Sequence, residues 1–194
     1  MVEQSLEAAK GLDFVSVSFG YTEDLWRFWQ ACGFQLVRFG SQREASSGCY
    51  TAMAIVPLSE QAQGLAYRAS RQMQRDWPWL QQLIPDAGLV IPASEDQVLE
   101  DDDWRELAGF AWGHRPFESS IGSLARLLSE APGEYPLLSG TIISRLSATD
   151  LSQQFGLTGR KAVQRGWRQE AQRAMNTLDQ PRSARWQAYL NSLN

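Results

Sequence analysis

Hydrophobic and polar residues alternate in the stretch FVSVSFG at positions 14–20. Val15, Val17 and Phe19 are separated by serines, so this stretch has the two-residue period of a β-strand. Residues 2–10, which precede it, read as the end of a helix that Gly11 closes. The pattern therefore predicts a helix followed by a strand that Gly20 terminates.

The period changes to that of a helix directly after this strand. Thr22 can cap the helix, and Glu23 and Asp24 place negative charge in its first turn. Apolar residues then recur at i, i+3, i+4 and i+7, which predicts a helix packed on a sheet and closed by Gly33. The apolar stripe of this helix consists of Leu25, Phe28, Trp29 and Cys32.

Two further strands and a long helix complete the N-terminal region. We predict strands at Phe34–Phe39 and Cys49–Val56, joined by a loop at Gly40–Gly48. Ser59 can cap the long helix. We expect that helix to end before Pro78, because proline disfavours the helical conformation of the residue that precedes it.

Two prolines and a glycine interrupt the periodicity in IPDAGLVIPAS, residues 84–94. We interpret this segment as a linker between a region at 1–83 and a region at 95–194. The periodic segments beyond it are all helical: Asp101–Gly113, Glu118–Ser129, Leu137–Leu146, Asp150–Phe155 and Thr158–Leu178. The predicted fold class is therefore α+β, a small sheet with packed helices followed by an all-α C-terminal domain.

The composition is that of an ordinary globular protein, with 43% hydrophobic and 21% charged residues among 194. No apolar run approaches the roughly 20 residues that a membrane helix needs, and the N-terminus has no signal-peptide pattern. Cys32 and Cys49 are too few for a disulfide scaffold, which favours two thiols in a reducing compartment. We therefore expect a cytoplasmic protein.

The net charge of −4 conceals an uneven distribution. Residues 144–194 contain eight Lys or Arg residues and three acidic residues, so this segment carries +5 and the remainder carries −9. A basic segment on an acidic protein is typical of contact with a polyanion, and a solvated helix face is the alternative.

The usual catalytic and metal-binding patterns are weak in this sequence. His114 is the only histidine and lies at a helix exit, where a surface or capping role is the commoner one. Asp101, Asp102 and Asp103 begin a helix, so we expect them to point in different directions and to complement its dipole. The sequence contains no glycine-rich phosphate loop of the P-loop or dinucleotide type.

Residues 150–167, DLSQQFGLTGRKAVQRGW, have the outline of a helix-turn-helix. A short helix, a turn at Gly156 and a basic second helix could place that second helix in a DNA major groove. The apolar position expected late in the second helix is either Ala162 or Val163. A DNA-binding regulatory module is therefore an alternative function.

Longer motifs indicate a different function. FVSVSFGYTEDLWRFWQACGFQLVRFG, followed by REASSGCYTAMAIVPLS, resembles the second half of a GNAT acetyltransferase domain, and more closely the bacterial tRNA(Met) cytidine acetyltransferase family. DDDWRELAGFAWGHRP, SSIGSLARLL and LTGRKAVQRGWRQEA resemble the C-terminal tail of that family. The resemblance is collinear over essentially the whole chain. It implies a partial GNAT sheet at 1–83 and a helical tRNA-binding tail at 95–194.

The resemblance also implies a reaction and its partners. In this family the exocyclic amine of a cytosine attacks the thioester carbonyl of acetyl-CoA, which gives N4-acetylcytidine at the wobble position of elongator tRNA(Met). A helicase-like module that uses ATP presents the base. The pyrophosphate loop, the first of two splayed strands and that module have no counterpart in this sequence. We therefore expect the lone chain to bind tRNA without catalysing acetyl transfer.

Functional positions of the family transfer to this sequence residue by residue. The positions that correspond to cofactor contacts are Ser18, Gly20, Asp24 and Ala31. Many relatives have arginine at the position of Ala31. Trp29 stands where many GNAT enzymes have a general-acid tyrosine, and an indole cannot take that role, so no catalytic residue is assigned. Arg43 and Glu44 are the candidates for substrate contact, with a solvated loop as the alternative.

Two surfaces are expected to bind partners. The first is a basic ridge on the predicted helix Thr158–Leu178, where the spacing of the cations suits the phosphates of a tRNA backbone. The ridge consists of Arg160, Lys161, Arg165 and Arg168. The second is the strand Val15–Phe19, which we expect to form an open sheet edge that promotes self-association.

Overall fold

The computed structural model describes residues 2–193 and, among these, every side chain but that of Glu3. The chain divides into two units, one of residues up to Glu95 and one from Asp96 onward. The first unit consists of α1 (Val2–Ala8), β1 (Phe14–Gly20), α2 (Glu23–Ala31), β2 (Gln35–Arg43), β3 (Tyr50–Pro57) and α3 (Glu60–Leu80).

Helices are the only regular elements among the described residues of the second unit. Its helices are α4 (Asp101–Ala111), a short 3-10 turn (Glu118–Ser120), α5 (Ile121–Glu130), α6 (Pro136–Ile142), α7 (Ala148–Gln154), α8 (Gly159–Leu178) and α9 (Gln180–Asn191). The predicted α+β class followed by an all-α domain is confirmed. In the part of the chain that the structure describes, no helix is both long and apolar enough to cross a membrane.

The sheet is antiparallel and has the strand order β1-β3-β2, so β1 lies at its edge. The register pairs Phe14 with Pro57 at one end of β1 and Gly20 with Thr51 at the other. β2 is longer than predicted and continues to Arg43, because two irregularities in its register with β3 let the pairing resume at Tyr50. The predicted loop at Gly40–Gly48 is therefore reduced to a tight turn that follows Arg43.

Helix α2 begins as predicted, because the Thr22 side chain accepts a hydrogen bond from the backbone N–H of Leu25 at 3.3 Å. Its apolar stripe is buried only in part. Trp29 packs against Phe34, with ring centroids 5.1 Å apart, whereas Leu25 is 36% exposed and Phe28 is 49% exposed. The prediction that the whole stripe packs on the sheet is wrong, because no described residue covers its outer side.

Helix α3 continues through Pro78, which contradicts the expected end of the helix before this residue. A proline inside a helix leaves the carbonyl four residues earlier without its usual donor. Here the backbone N–H of Ser94 donates to that carbonyl, at Gln74, with a distance of 3.1 Å. The helix tolerates the proline because another segment supplies the missing hydrogen bond.

The segment 84–94, interpreted from the sequence as a linker, contacts the first unit along its length. Ile84 is 1% exposed and Leu89 is 7% exposed. The Asp86 carboxylate accepts a hydrogen bond of 2.7 Å from the Tyr50 hydroxyl and a second bond from Arg43. The segment has no regular secondary structure, but its contacts hold it against the sheet and α3.

Helix α8 is the centre of the second unit and packs against α4, α5, α6, α7 and α9. Its buried face includes Val163, Trp167, Ala171 and Met175, which recur at helical spacing. Helix α9 is absent from the sequence prediction. Asp179 caps it by accepting a 2.9 Å hydrogen bond from the backbone N–H of Arg182, and Pro181 occupies its first turn.

A buried ion pair joins α4 to α5. Asp103 is 0% exposed and Arg126 is 1% exposed, and their closest N–O distance is 2.6 Å. The Ser123 hydroxyl donates to the same carboxylate at 2.9 Å, and the backbone N–H of Glu100 donates to its other oxygen at 2.9 Å. Each oxygen of the buried carboxylate therefore has a donor, as a buried ion pair requires.

The three consecutive aspartates of α4 point in different directions, as their helical spacing predicts. Asp101 pairs with Arg182, Asp102 pairs with Arg105, and Asp103 pairs with Arg126. Only the last pair is buried. The other two add negative charge to the first turn of α4, where the helix dipole favours it.

Replacement of Asp103 by alanine should lower the free energy of unfolding of the second unit by about 3–5 kcal/mol, because Arg126 would stay buried without its counter-ion. Asp102→Ala is the matched control and should cost below about 1 kcal/mol, because its pair with Arg105 is exposed. Urea titration followed by circular dichroism at 222 nm measures both. Equal losses for the two variants would show that the buried pair has no special role.

Candidate nucleic-acid interface and cofactor-facing residues

Helix α8 carries polar side chains that complete the ends of two neighbouring helices. The Arg168 guanidinium donates to three backbone carbonyls at and after the end of α4: Phe110, Gly113 at 3.0 Å and Arg115 at 3.2 Å. It also lies 4.8 Å from the centre of the Phe110 ring. Burial lowers the pKa of the Arg168 guanidinium, and the carbonyls and the negative end of α4 stabilise its charge.

Glu170 supplies a negative charge to the backbone amides at the beginning of α6. Its carboxylate accepts hydrogen bonds from the backbone N–H groups of Leu137, at 3.1 Å, and Leu138, at 2.8 Å. Burial raises the pKa of this carboxyl, and the two amide hydrogen bonds oppose that rise. Arg168 and Glu170 therefore place opposite charges where two helix dipoles favour them, which fixes the rotation of α8.

That rotation directs the N-terminal cations of α8 to the surface. Lys161 and Arg165 are exposed, and they lie one turn apart on the same side of the helix. Within residues 2–193, no acidic side chain or carbonyl pairs with either of them. Arg160 is exposed beside them, and its guanidinium lies 4.0 Å from the Glu118 carboxylate, which is too long for a strong pair.

The structure does not place all four predicted ridge residues together. Arg160, Lys161 and Arg165 lie at the surface, whereas the Arg168 guanidinium is held by α4. Helical spacing predicts which side of the helix a residue occupies, but not whether its charged group already has a partner. The surface available to an anion is therefore shorter than the ridge that the spacing predicts.

The helix pair α7–α8 has the order expected of a helix-turn-helix, with Gly156 in the turn at a φ of 62°. The Ser147 side chain caps α7 by accepting a 3.1 Å hydrogen bond from the backbone N–H of Asp150. Of the two candidates for the buried apolar position in α8, Val163 is 0% exposed and Ala162 is only partly buried. Val163 is therefore the residue that packs α8 into the unit.

In the first unit, Ser18 and Gly20 belong to the edge strand β1. Ser18 is exposed, and no described strand pairs with the outer side of β1. Free backbone amides and carbonyls along that edge suit an extended ligand that carries amides of its own, such as the arm of acetyl-CoA. Gly20 lies close to the turn between β2 and β3, since a Cβ at position 20 would lie 3.2 Å from Cβ of Cys49.

Helix α2 contributes the remaining predicted cofactor positions. Asp24 and Ala31 are both exposed, but neither side chain can donate a hydrogen bond to a phosphate. Arg27, on the same helix, is paired with Glu23. Of the four predicted cofactor positions, the two in β1 lie on a free strand edge, and the two in α2 offer no side-chain donor to a phosphate.

Trp29 occupies the position that bears a tyrosine in many GNAT enzymes. Its ring lies among Phe19, Phe28 and Phe34, with centroid distances of 6.2, 5.1 and 5.1 Å. Its indole N–H is buried and, among the described residues, has no hydrogen-bond acceptor. The indole can donate a hydrogen bond but cannot transfer a proton.

Arg43, the last residue of β2, and Glu44, in the turn that follows, are exposed, and the side chains of both have hydrogen-bond partners. Arg43 donates to the carbonyl of Gly48 at 2.6 Å, pairs with Asp86, and lies 4.7 Å from the centre of the Tyr50 ring. Glu44 accepts hydrogen bonds of 3.1 Å from Ser47 and from Thr51. Neither charge is free, and an incoming substrate would have to exchange these partners.

Asp86 completes this cluster, and sequence reasoning does not find it. Hydrogen bonds from the Tyr50 hydroxyl and the Arg43 guanidinium hold the pKa of the Asp86 carboxyl below its usual range. Asp86 follows α3 by several residues in a segment without periodicity. Only the folded arrangement brings it to Arg43, so the cluster has no signal in the sequence.

Comparison with known families gives two matches. A GNAT acetyltransferase 2 family model matches residues 1–59, and a tRNA-binding domain family model matches residues 62–181. The first match covers β1, α2, β2 and β3, so the three-stranded sheet is a partial GNAT sheet. The second match covers α4–α8, including Lys161 and Arg165, and begins within α3.

Curated relatives share one description, tRNA(Met) cytidine acetyltransferase TmcA. The protein of Pectobacterium atrosepticum is 48% identical over 98% of this chain and 28% of its own length. That of Citrobacter koseri is 46% identical over 95% of this chain and 27% of its own length. That of Haemophilus influenzae is 40% identical over 83% of this chain and 23% of its own length.

The chain spans about a quarter of the length of these relatives. The two family matches are collinear with the two kinds of structure seen here, a partial sheet and a helical unit. They also agree with the motifs that the sequence shares with one acetyltransferase family. The chain therefore belongs to the bacterial tRNA(Met) cytidine acetyltransferase family and combines part of its GNAT domain with its tRNA-binding domain.

Proposed function

We propose that this chain binds tRNA and forms part of an enzyme that acetylates the wobble cytidine of elongator tRNA(Met) on N4. Acetyl-CoA is the acyl donor, and ATP assists through a module outside these 194 residues. The observation that carries the proposal is the position of Lys161 and Arg165, two exposed cations that have no partner among the described residues and lie within a matched tRNA-binding domain. Arg160 extends this surface, which we call the α8 cation patch.

The chemistry of the reaction explains why RNA binding and acyl transfer are combined. The exocyclic amine of cytosine is a poor nucleophile because its lone pair is delocalised into the ring. Positioning of the unstacked base against the thioester must therefore supply much of the rate. The α8 cation patch contacts phosphates and so holds the tRNA without reading its sequence.

The four cofactor positions have a limited role in this proposal. Ser18 and Gly20 offer the free edge of β1 to the extended arm of acetyl-CoA, whereas Asp24 and Ala31 provide no donor for its phosphates. Acetyl-CoA supplies the activated acyl group when bound. Arg43 and Glu44 would contact the RNA substrate only after exchanging their present hydrogen bonds.

We expect the isolated 194-residue chain to transfer no acetyl group to tRNA(Met), because its residues provide no pyrophosphate site. Incorporation of radiolabelled acetyl from acetyl-CoA into tRNA, with ATP present, measures this. The full-length relative from Pectobacterium atrosepticum is the positive control. Acetylcytidine formed by the lone chain at a rate comparable to this control would contradict the prediction.

The double variant Lys161→Gln, Arg165→Gln should bind tRNA more weakly and with a flatter dependence on salt. Loss of two phosphate contacts should reduce the slope of log K against log salt by about 1.5. The control Lys10→Gln, Arg27→Gln removes the same charge from exposed positions of the first unit and should leave both quantities unchanged. Gel shifts or fluorescence anisotropy at several salt concentrations measure them.

The same binding assay distinguishes the proposed tRNA binding from the alternative function, a DNA-binding regulatory module. A helix-turn-helix regulator would bind one duplex DNA sequence more tightly than tRNA and than random duplexes.

If the double variant binds tRNA with the affinity and salt slope of the unaltered chain, the α8 cation patch is not the RNA site.

The exposed apolar side of α2 and the free edge of β1 should cause self-association at high micromolar concentration. Phe28→Glu places a charge on that surface and should shift sedimentation towards the monomer. Val90→Glu is the control. Val90 is 92% exposed in the same unit and belongs neither to β1 nor to α2. A monomeric unaltered chain at these concentrations would refute the self-association.

A further inference from the structure

A cleft of about 700 Å³ lies between the beginning of α4 and the helix α9 in the second unit. This volume is within the range of sites that hold small molecules. Its lining combines cationic and aromatic side chains with one carboxylate: Asp101, Arg105, Arg182, Arg185, Trp186 and Tyr189. The sequence prediction does not include α9, and the α8 cation patch contributes no residue to this lining.

Four of the lining residues form one face of α9. Arg182, Arg185, Trp186 and Tyr189 follow one another at i, i+3, i+4 and i+7. A helix face that packs into a core would carry apolar residues at all of these positions. This face instead carries two guanidinium groups followed by two large aromatic rings, and Tyr189 is 51% exposed.

The guanidinium groups of the cleft outnumber its carboxylate. Arg182 is held in place by Asp101 and by the ring of Trp104, whose centre lies 4.7 Å from the guanidinium carbon. Asp101 is 90% exposed, so this ion pair is solvated and a phosphate could replace the carboxylate at small cost. Arg185 has no partner among the described residues.

The aromatic rings of the cleft offer surfaces for stacking. Trp186 and Tyr189 meet edge to face with centroids 5.7 Å apart. Exposed aromatic rings beside arginines are the combination with which proteins hold single-stranded nucleic acid, because bases stack on the rings and phosphates pair with the guanidinium groups.

A purely structural role accounts for only part of this arrangement. The pair of Arg182 with Asp101, and its contact with Trp104, can fasten α9 to α4. Arg185 and the exposed ring of Tyr189 take no part in that attachment. These two side chains add a positive charge and an exposed aromatic surface to the cleft.

We propose that this cleft binds one unpaired nucleotide of an RNA strand. Arg182 and Arg185 contact its phosphate, and the base stacks on Trp186 or Tyr189. The assignment to RNA rests on the proposed function, whereas the recognition of a base with its phosphate rests on the cleft alone. The site would bind a single-stranded part of the tRNA, while the α8 cation patch contacts backbone phosphates irrespective of pairing.

The test measures fluorescence anisotropy of a labelled single-stranded octaribonucleotide and of an RNA duplex with the same sequence. Trp186→Leu should weaken binding of the single strand about tenfold, because a stacking surface is lost. Trp186→Phe, which keeps an aromatic ring, should restore most of that affinity. Neither variant should change binding of the duplex, whose bases are stacked on one another.

One control and two further variants make the result specific. The control Trp26→Leu removes a half-buried tryptophan from the first unit and should leave the affinity for the single strand unchanged. Tyr189→Leu removes the exposed ring of the cleft and should weaken binding of the single strand, and circular dichroism confirms that each variant is folded. Arg185→Gln should weaken binding and reduce the salt slope by about one phosphate contact.

The outcomes separate this inference from the proposed function. Unchanged single-strand affinity in folded Trp186→Leu and Tyr189→Leu variants overturns the nucleotide cleft, even if Lys161→Gln, Arg165→Gln abolishes tRNA binding. Loss of single-strand binding in these variants supports the cleft, even if the α8 cation patch proves unimportant for tRNA. If free adenosine monophosphate binds with Trp186-dependent affinity exceeding that of the octaribonucleotide, the site takes free nucleotides and the assignment to RNA is wrong.

Discussion

The helical unit depends on how α8 completes the ends of its neighbours. Arg168 supplies positive charge to the carbonyls at the end of α4, and Glu170 supplies negative charge to the amides at the beginning of α6. These side chains are two residues apart and serve helix ends of opposite polarity. Rotation of α8 by even one residue position would leave buried backbone groups unpaired, so its rotation is tightly fixed. Lys161 and Arg165 are directed outward as a consequence.

Regular patterns in the sequence predicted the helices and strands well. They did not predict which charged side chains have partners within the fold. The alternation around Val17, the cap at Thr22 and the length of α8 all follow from local rules, and local rules hold when the chain itself supplies the partners. Arg168 and Asp103 look like ordinary surface charges in the sequence, yet both are held by groups far along the chain. Pro78 remains helical for the same reason, because Ser94 lies in a different segment. Tertiary hydrogen bonds decide such cases.

The candidate sites differ in how far the sequence alone predicts them. The α8 cation patch lies within one helix, so helical spacing placed Lys161 and Arg165 on a common side. The cleft between α4 and α9 combines residues about eighty positions apart, and α9 itself lacks a strongly apolar stripe. Asp179 and Pro181 are the signal that could have revealed α9, since they form a cap and a first turn. Family motifs identified the family without locating either surface.

Residues 1–143 carry a net negative charge, which favours the α8 cation patch and the cleft between α4 and α9 as contacts for RNA. With a net charge of −4, the protein as a whole repels a polyanion, and attraction is confined to places where cations lack carboxylate partners. Within residues 2–193, Lys161, Arg165 and Arg185 are such cations, whereas Arg43, Arg126 and Arg168 already have partners in the fold. Under the proposed function, repulsion elsewhere disfavours wrong orientations of the RNA, which contributes to specificity as attraction does. The distribution of unpaired charge, rather than its total, therefore determines where this protein can hold a nucleic acid.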